Sequence, residues 1–299
     1  MKKQAELTNL DKIYWPKEGI TKGDMLEYYS KVAPYILPYL KNRPLSLFRS
    51  PNGIEEKGFF HKDAGDDAPK WVKTKEIYSE STDKMVNYLV CNDLESLLYI
   101  GNLGCIEMNP WNSTISKIDH PDYIVMDIDP SDKNTFDDVV DVALVIKDIL
   151  DETGMDGYCK TSGASGIHVY IPFNKKYTYD ESRGFAEVLA TIVHDRMPKL
   201  TTLERSLSKR KKNQIYIDYL QNRIGQTLAS AYSVRPKPGA TVSAPLEWNE
   251  VKHGLRPSDF TIQNMPGRLE EKGDLFKGVL GKGINISKII EKLEVVTSA

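Results

Sequence analysis

The chain has 299 residues, 40% hydrophobic and 27% charged, with a formal net charge of -2. That is enough apolar material for a buried core, and the near-neutral balance gives no bulk signal for a nucleic-acid partner. The opening MKKQAELTNL lacks the apolar run of a signal peptide, and no stretch is long and apolar enough to span a membrane. Cys91, Cys105 and Cys159 are odd in number, far apart and without CxxC spacing, which excludes a disulfide framework or a cysteine zinc site. A reducing, cytoplasmic setting is the simple expectation.

Taken in chain order, TKGDMLEYYSKVA (21–33) predicts a helix with Thr21 as N-cap and Asp24 completing a capping box. Pro34 should break or kink it. RPLSLFRSP (43–51) reads as a strand closed by the PNG turn, and residues 86–111 as a strand, a helix and another strand. YIVMDID (123–129) is an apolar strand ending in acid. Residues 136–154 repeat Val139, Val142, Val145/Ile146 and Ile149 at helical spacing, with Gly154 as C-cap. GYCKTSGASGIHVYIPF (157–173) predicts two short strands around a glycine loop, and 181–198 a second helix stopped by Pro198. NQIYIDYL (213–220) alternates as a strand, residues 229–248 suggest a strand, a turn and another edge, and NISKIIEKLEVV closes the chain as a helix. Length fits one large domain or two moderate ones, but no linker or repeat marks a cut. Strands and helices intermingle without βαβ regularity, so the expected class is α+β with largely antiparallel sheets.

Chemistry concentrates where the apolar strand ends. Asp127 and Asp129 are two apart, so an extended backbone sends both carboxylates to one face while Ile128 takes the other. Two such carboxylates repel unless a cation lies between them, and a hard divalent ion such as Mg²⁺ or Mn²⁺ suits oxygen donors. The pattern is short, and a solvated turn before Pro130 is the other reading. Asp218 follows Ile215 and Ile217 and is read as core-facing, where a carboxylate needs a partner or a metal. If the two strands are neighbours, the three acids could hold two divalent ions and align a 3′-hydroxyl with a nucleotide α-phosphate. Between them, Gly163 and Gly166 allow close backbone approach to a ligand, with Ser162, Ser165 and loop N–H groups as phosphate donors and His168 in an anion-contacting role. Arg235, in YSVRPKPGA, is a phosphate fork in a loop restricted by two prolines, or else part of a surface turn. The basic run KLTTLERSLSKRKKNQ (199–214) directly precedes the strand carrying Asp218.

In order, DYIVMDIDP, SGASGIHVYIP, IYIDYLQNRIGQT and YSVRPKPGATVSAPLEW resemble the polymerase domain of bacterial DNA ligase D, in the archaeo-eukaryotic primase superfamily. The likeness runs nearly end to end, through LTNLDKIYWPKEGITKGDMLEYY, RPLSLFRSPNG, GFFHKDA and GRLEEKGD. It implies one primase-polymerase catalytic domain over 1–299 with an RRM-like antiparallel sheet flanked by helices. About 1–110 would serve DNA-end binding and packing and about 111–299 the catalytic core, without ligase or nuclease modules. It implies nucleotidyl transfer to DNA 3′ ends at gaps or breaks in non-homologous end joining, often with ribonucleotides. Asp127, Asp129 and Asp218 would bind two metal ions, Mn²⁺ or Mg²⁺. Ser162, Gly163, Gly166 and His168 would lie beside the incoming NTP or dNTP, with Ser162 near its 2′-OH. Gln221, Arg235, Lys211 and Asn109 match further nucleotide positions. Lys12 and Lys22 match lysines that grip a 5′-phosphate, and Phe59 and Phe60 match aromatics that stack on DNA. Expected partners are 5′-phosphorylated ends, gapped duplexes or 3′ overhangs, a separate ligase and a Ku-like protein, and no membrane.

Three departures stand out. Asn109 replaces the family's histidine in E-x-H-P-W, Ser165 replaces a loop lysine, and Lys211 stands where an arginine is expected, with Arg210 or Lys212 able to compensate. Two other functions compete. A DxD phosphatase would want glycine where Pro130 stands and a later acidic pair. A non-catalytic DNA-end-binding module would leave three acids repelling DNA without purpose.

Overall fold

Capped helices and short strands alternate along the computed structural model, which describes residues 4–65, 68–79 and 82–298. The chain divides into two units, each built from three segments. The first comprises Met1–Ser116, Thr227–Ala244 and Phe260–Gly273; the second comprises Lys117–Gln226, Pro245–Asp259 and Asp274–Ala299.

In the first unit, β1 (Ile13–Trp15) and β2 (Ile20–Thr21) pair antiparallel and lead into α1 (Lys22–Leu40). The predicted capping box is present: Asp24 N–H donates to Thr21 Oγ1 at 3.1 Å and Thr21 N–H to Asp24 Oδ2 at 2.8 Å. Pro34 does not end the helix, which runs through it and through Pro38. A proline inside a helix costs about 3 kcal/mol. The helix offsets this by burying Met25, Leu26, Tyr28, Tyr29, Val32, Ile36, Tyr39 and Leu40, each contributing roughly 1.5–3 kcal/mol. Two buried tyrosines also pin it, Tyr28 Oη donating to Tyr232 O at 2.8 Å and Tyr29 Oη to Ile106 O at 2.6 Å. The strand predicted at 43–51 is β3 (Leu45–Arg49), flanked antiparallel by β4 (Phe59–His61) and β7 (Cys105–Pro110). β5 (Lys73–Ser79) and β6 (Lys84–Val90) form a separate hairpin, and α2 (Leu94–Asn102) is capped by Asp93. Of the strand, turn and further edge expected over 229–248, the part in this unit reduces to an isolated bridge between Val234 and Val242. Pro236, Pro238 and the left-handed backbone of Tyr232 and Ala240 (φ 67° and 49°) interrupt any longer ladder. A short helix, Met265–Lys272, was not legible because Pro266 and Gly267 open it.

In the second unit one six-stranded sheet holds β8 (Tyr123–Asp129), β9 (Tyr158–Thr161), β10 (Ile167–Pro172), β11 (Thr201–Thr202), β12 (Ile215–Asp218) and β13 (Pro245–Leu246). Their order is β11-β12-β8-β10-β9-β13, antiparallel except between β11 and β12. The α+β expectation of antiparallel sheets flanked by helices is met. α3 (Phe136–Thr153) packs against β8 and β10, and α4 (Tyr179–Arg196) against β8, β11 and β12. α3 buries Val139, Val142, Ala143, Ile146 and Ile149 and ends at Gly154 in the left-handed region (φ 69°), as its spacing predicts. β8 is the hub, with Ile124, Val125, Met126 and Ile128 all fully buried.

After β12 a 3-10 turn, Tyr219–Asn222, aims the buried amide of Asn222 back at β8. Its Oδ1 accepts from Val125 N–H at 2.8 Å, and its Nδ2 donates to Val125 O at 2.7 Å and Tyr219 O at 2.9 Å. The side chain thus continues the ladder where β12 stops. Among the described residues no helix is long and apolar enough to cross a membrane. The three cysteines are buried and free, and burial pushes each thiol well above its ordinary range.

Asn222→Ala orphans both backbone groups of Val125, so urea unfolding should show a loss of about 2–3 kcal/mol. An unchanged midpoint would mean that β8 does not depend on this clamp.

Candidate active site

Register builds the site. Across β9, β10, β8 and β12, Lys160 lies opposite His168, His168 opposite Asp127, and Asp127 opposite Asp218. Direct cross-strand partners have Cβ atoms about 4.5–5.5 Å apart, all on one face. Asp129, two residues beyond Asp127 and opposite Tyr216, joins that face. The shared face expected for Asp127 and Asp129 is therefore present, and Asp218 comes to it from the adjacent strand. The facing read for Asp218 from sequence is corrected, however. It alternates with Tyr216 rather than with Ile215 and Ile217, and it is half-buried at the strand end rather than turned into the core.

Each acid already has protein partners. His168 Nε2 lies 3.3 Å from Asp127 Oδ1, and Lys160, a fully buried lysine, brings Nζ to 2.8 Å from His168 Nδ1. Lys160 also lies over the Tyr170 ring at 5.6 Å. Asp218 Oδ1 accepts from Leu220 N–H at 2.9 Å and its Oδ2 from Gln221 Nε2 at 3.1 Å. Arg210 stacks 3.8 Å above the Tyr216 ring and reaches Asp129 Oδ2 at 3.7 Å. Packed protein atoms desolvate the Asp129 carboxyl and raise its pKa although half of its side chain (51%) stays open; Arg210 opposes the rise and Asp218 adds to it. A carboxylate held up by burial and by a neighbouring acid gains from added positive charge. Among the described residues, no three acid, histidine or cysteine side chains are gathered as they stand around a metal ion. The donor set nonetheless fits a hard divalent ion: three carboxylates on one face, bordered by hydrogen-bonding groups that would have to yield or share.

The glycine loop is tightly folded. Ser162 N–H donates to Gly166 O at 2.8 Å, while Ser162 Oγ accepts from the N–H groups of Ala164 (3.1 Å) and Gly166 (3.0 Å). Those two amides, expected to face a phosphate, are turned to Ser162 instead. Gly163 has φ +70°, and a Cβ on Gly166 would lie 2.3 Å from Ile128 O, so the loop crosses the end of β8 at a distance only glycine permits. Ser165 is exposed at the loop tip. Lys211 is exposed, and the cation beside Asp129 is its neighbour Arg210.

The remaining predicted residues belong to the first unit. Asn109 is buried on β7, two residues from Glu107 and on the same face. Glu107, also buried, accepts from Arg235 Nε at 2.8 Å, and Arg235 N–H donates to Thr241 O at 2.8 Å. Lys12 and Lys22 adjoin: Lys22 N–H donates to Lys12 O at 2.8 Å, and Lys12 Nζ donates to Asn52 Oδ1. Lys22 is buried, which lowers its pKa, and the charge of Lys12 lowers it further. Phe59 and Phe60 are exposed on the edge strand β4, Phe59 under Arg49 (5.4 Å) and Phe60 edge-on to Phe48 (5.2 Å). Sequence reasoning missed Lys160, Asn222 and Glu107. Lys160 alone left a trace, as the one charged residue in the short strand YCKT.

Comparison with known proteins finds relatives along most of the chain. The family described as LigD, primase-polymerase domain, matches residues 21–276. The bifunctional non-homologous end joining protein LigD of Bacillus subtilis is 37% identical over 271 residues, 90% of this chain and 43% of that protein. The multifunctional LigD of Mycolicibacterium smegmatis is 29% identical over 91% of this chain and 35% of its own length. The chain thus spans less than half of these relatives. The polymerase domain from Mycobacterium tuberculosis ligase D in complex with DNA superposes with a TM-score of 0.86 at 26% identity, covering 95% of this chain and all of that one.

Gly166→Ala should force the loop off the end of β8 and lower stability by at least about 2 kcal/mol. Thermal unfolding checks this, and a wild-type midpoint would show that the close crossing is not required.

Proposed function

The chain belongs to the LigD primase-polymerase family, and from that premise and the acidic row we propose that it transfers nucleotides to DNA 3′ ends at gaps or breaks. The observation that carries this reading is the register placing Asp127, Asp129 and Asp218 on one face of neighbouring strands. Support comes from the relatives named for non-homologous end joining and from the ligase D polymerase domain solved with DNA. In the proposed reaction a primer 3′-oxygen bonds to the nucleotide α-phosphorus, the bond to the bridging oxygen breaks, and pyrophosphate leaves.

Asp127, Asp129 and Asp218 would hold divalent Mn²⁺ or Mg²⁺. Such ions supply charge neutralisation at the reacting phosphate and ease ionisation of the hydroxyl. The protein's own part is positional. His168 steadies Asp127 and offers an N–H on the acidic face; Gln221 orients Asp218; Arg210 brings a guanidinium whose fork suits phosphate oxygens. Ser162, Gly163 and Gly166 shape the loop assigned to the nucleotide, Ser162 being the residue assigned to a 2′-OH. Asn109, Lys211 and Arg235 are proposed as further nucleotide contacts. Lys12 and Lys22 are assigned to the 5′-phosphate, and Phe59 and Phe60 to stacking, typically worth roughly 1–3 kcal/mol per base. A separate ligase and a Ku-like protein are the partners this activity would require. The phosphatase alternative loses its support with the family match, since its DxD likeness was local.

A gapped duplex with a recessed 5′-phosphate should be extended with Mn²⁺ and ribonucleotides. Asp127→Ala with Asp129→Ala should abolish extension while DNA-end binding persists; retained extension would overturn the assignment, and a wild type that binds ends without extending them would favour the non-catalytic module. Lys12→Ala with Lys22→Ala should weaken binding to 5′-phosphorylated ends by tenfold or more, steeply with salt. Equal loss on 5′-hydroxyl ends would contradict the phosphate role.

A further inference from the structure

Lys22 is nearly fully buried, only 4% exposed, yet carries an ammonium with three donors and no acceptor. Two of those donors are accounted for: Nζ donates to Thr8 O at 2.8 Å and to Asn102 Oδ1 at 2.8 Å. The third has no protein partner among the described residues. Asn102 closes α2, and its amide is the hub of a small network. Its Oδ1 also accepts from Thr8 N–H at 2.9 Å, and its Nδ2 donates to Glu6 O at 3.0 Å. These bonds fix which end of the amide faces the lysine, because only the oxygen can accept from both N–H donors and only the nitrogen can meet a carbonyl. A second tie, Ala5 N–H to Glu95 Oε2 at 2.7 Å, holds the same N-terminal segment on α2 without touching Lys22.

We propose that Asn102 is a positioning residue for recognition of a DNA 5′-phosphate, its neutral amide oxygen aiming the Lys22 ammonium so that one donor remains for the phosphate. This rests on the assignment of Lys12 and Lys22 to that group. Neutrality matters as much as geometry. A carboxylate at position 102 would hold the ammonium equally well but would cancel its charge and repel a phosphate, whereas an amide orients it and leaves the charge intact. Lys12 beside it adds a second positive charge. A lysine fixed in this way loses little side-chain entropy when its ligand arrives, whereas a freely rotating one must give up its rotamers on binding.

The test uses two gapped duplexes identical except for a 5′-phosphate or a 5′-hydroxyl at the downstream end, with binding read by fluorescence anisotropy in the absence of metal and nucleotide. Asn102→Asp should reduce the ratio of the two affinities about tenfold, with binding to the 5′-hydroxyl duplex within about twofold of wild type. Asn102→Ser, smaller and uncharged, should reduce the ratio less and serves if the Asp variant fails to fold. Glu95→Ala, which cuts only the neighbouring tie, should leave the ratio unchanged. An unaltered ratio in both Asn102 variants, or equal weakening on both duplexes, would overturn the proposal, as would a matching loss in Glu95→Ala. Absence of any 5′-phosphate preference in the wild type would instead overturn the Lys12 and Lys22 assignment, a separate failure.

Discussion

The pairing of β8 with β10 on one side and β12 on the other is the constraint from which the acidic face follows. Strand side chains alternate, so slipping β8 by one residue would move Asp127 and Asp129 to the face now occupied by Ile124, Met126 and Ile128. Those three are fully buried, each worth roughly 1.5–3 kcal/mol, and β10 and β12 supply matching apolar positions at Ile167, Val169, Ile171, Ile215 and Ile217. The register is thereby over-determined by residues with no chemical role. Asn222 adds a lock at Val125, and Gly166 lets the loop close over Ile128 at the strand's other end.

Gathering carboxylates on one face has an electrostatic cost: burial is the main cause of the raised pKa of Asp129, and the neighbouring Asp218 adds to it. The surrounding groups reduce that cost without abolishing it. Lys160 and His168 form a hydrogen-bonded chain ending at Asp127, Arg210 leans over Tyr216 toward Asp129, and Asp218 draws on a backbone N–H and an amide. Neutral amides and a distant guanidinium are weak compensators for a half-buried carboxylate trio. An acidic face stabilised only in part retains affinity for added positive charge, whereas one sealed by close ion pairs would not.

Much of this was legible in the sequence, and the exceptions have physical causes. The DIDP pair declared itself through the period of an extended chain, and helix ends at Thr21 and Gly154 through capping chemistry. Asp218 was placed on the wrong face because the alternation of Ile215 and Ile217 was carried one residue too far; a period of two puts Asp218 with Tyr216 instead. Pro34 was given too much weight, since local propensity competes with tertiary burial and α1 buries Tyr28, Tyr29 and Tyr39 along with its aliphatic residues. Arg210, rather than Lys211, stands beside Asp129 because the preceding loop bends back on itself, Arg210 Nε donating to Glu204 O at 2.6 Å. No periodicity reports a turn of that kind. Glu107 and Asn102 left no sign in the sequence, and Lys160 only its charge, for another reason: their partners lie across strands or far along the chain, at separations of 128, 80 and 8 residues.

Each of those three missed residues holds a side chain that sequence reading had singled out: Lys160 donates to His168, Glu107 accepts from Arg235, and Asn102 accepts from Lys22. The last two share one physical logic. A flexible cation on the surface binds a phosphate only after giving up its rotamer freedom, and what it gains in water is small. Seated against an acceptor fixed by the fold, the same cation has already lost that freedom during folding, and its own burial strengthens every hydrogen bond it then makes. The cost falls on stability instead of affinity, since a buried ammonium or guanidinium must be desolvated in the empty protein. Lys22 shows that cost directly in its lowered pKa. The choice of acceptor then sets what each cation can still do. A carboxylate such as Glu107 fixes geometry and takes part of the charge, while an amide such as Asn102 fixes geometry alone.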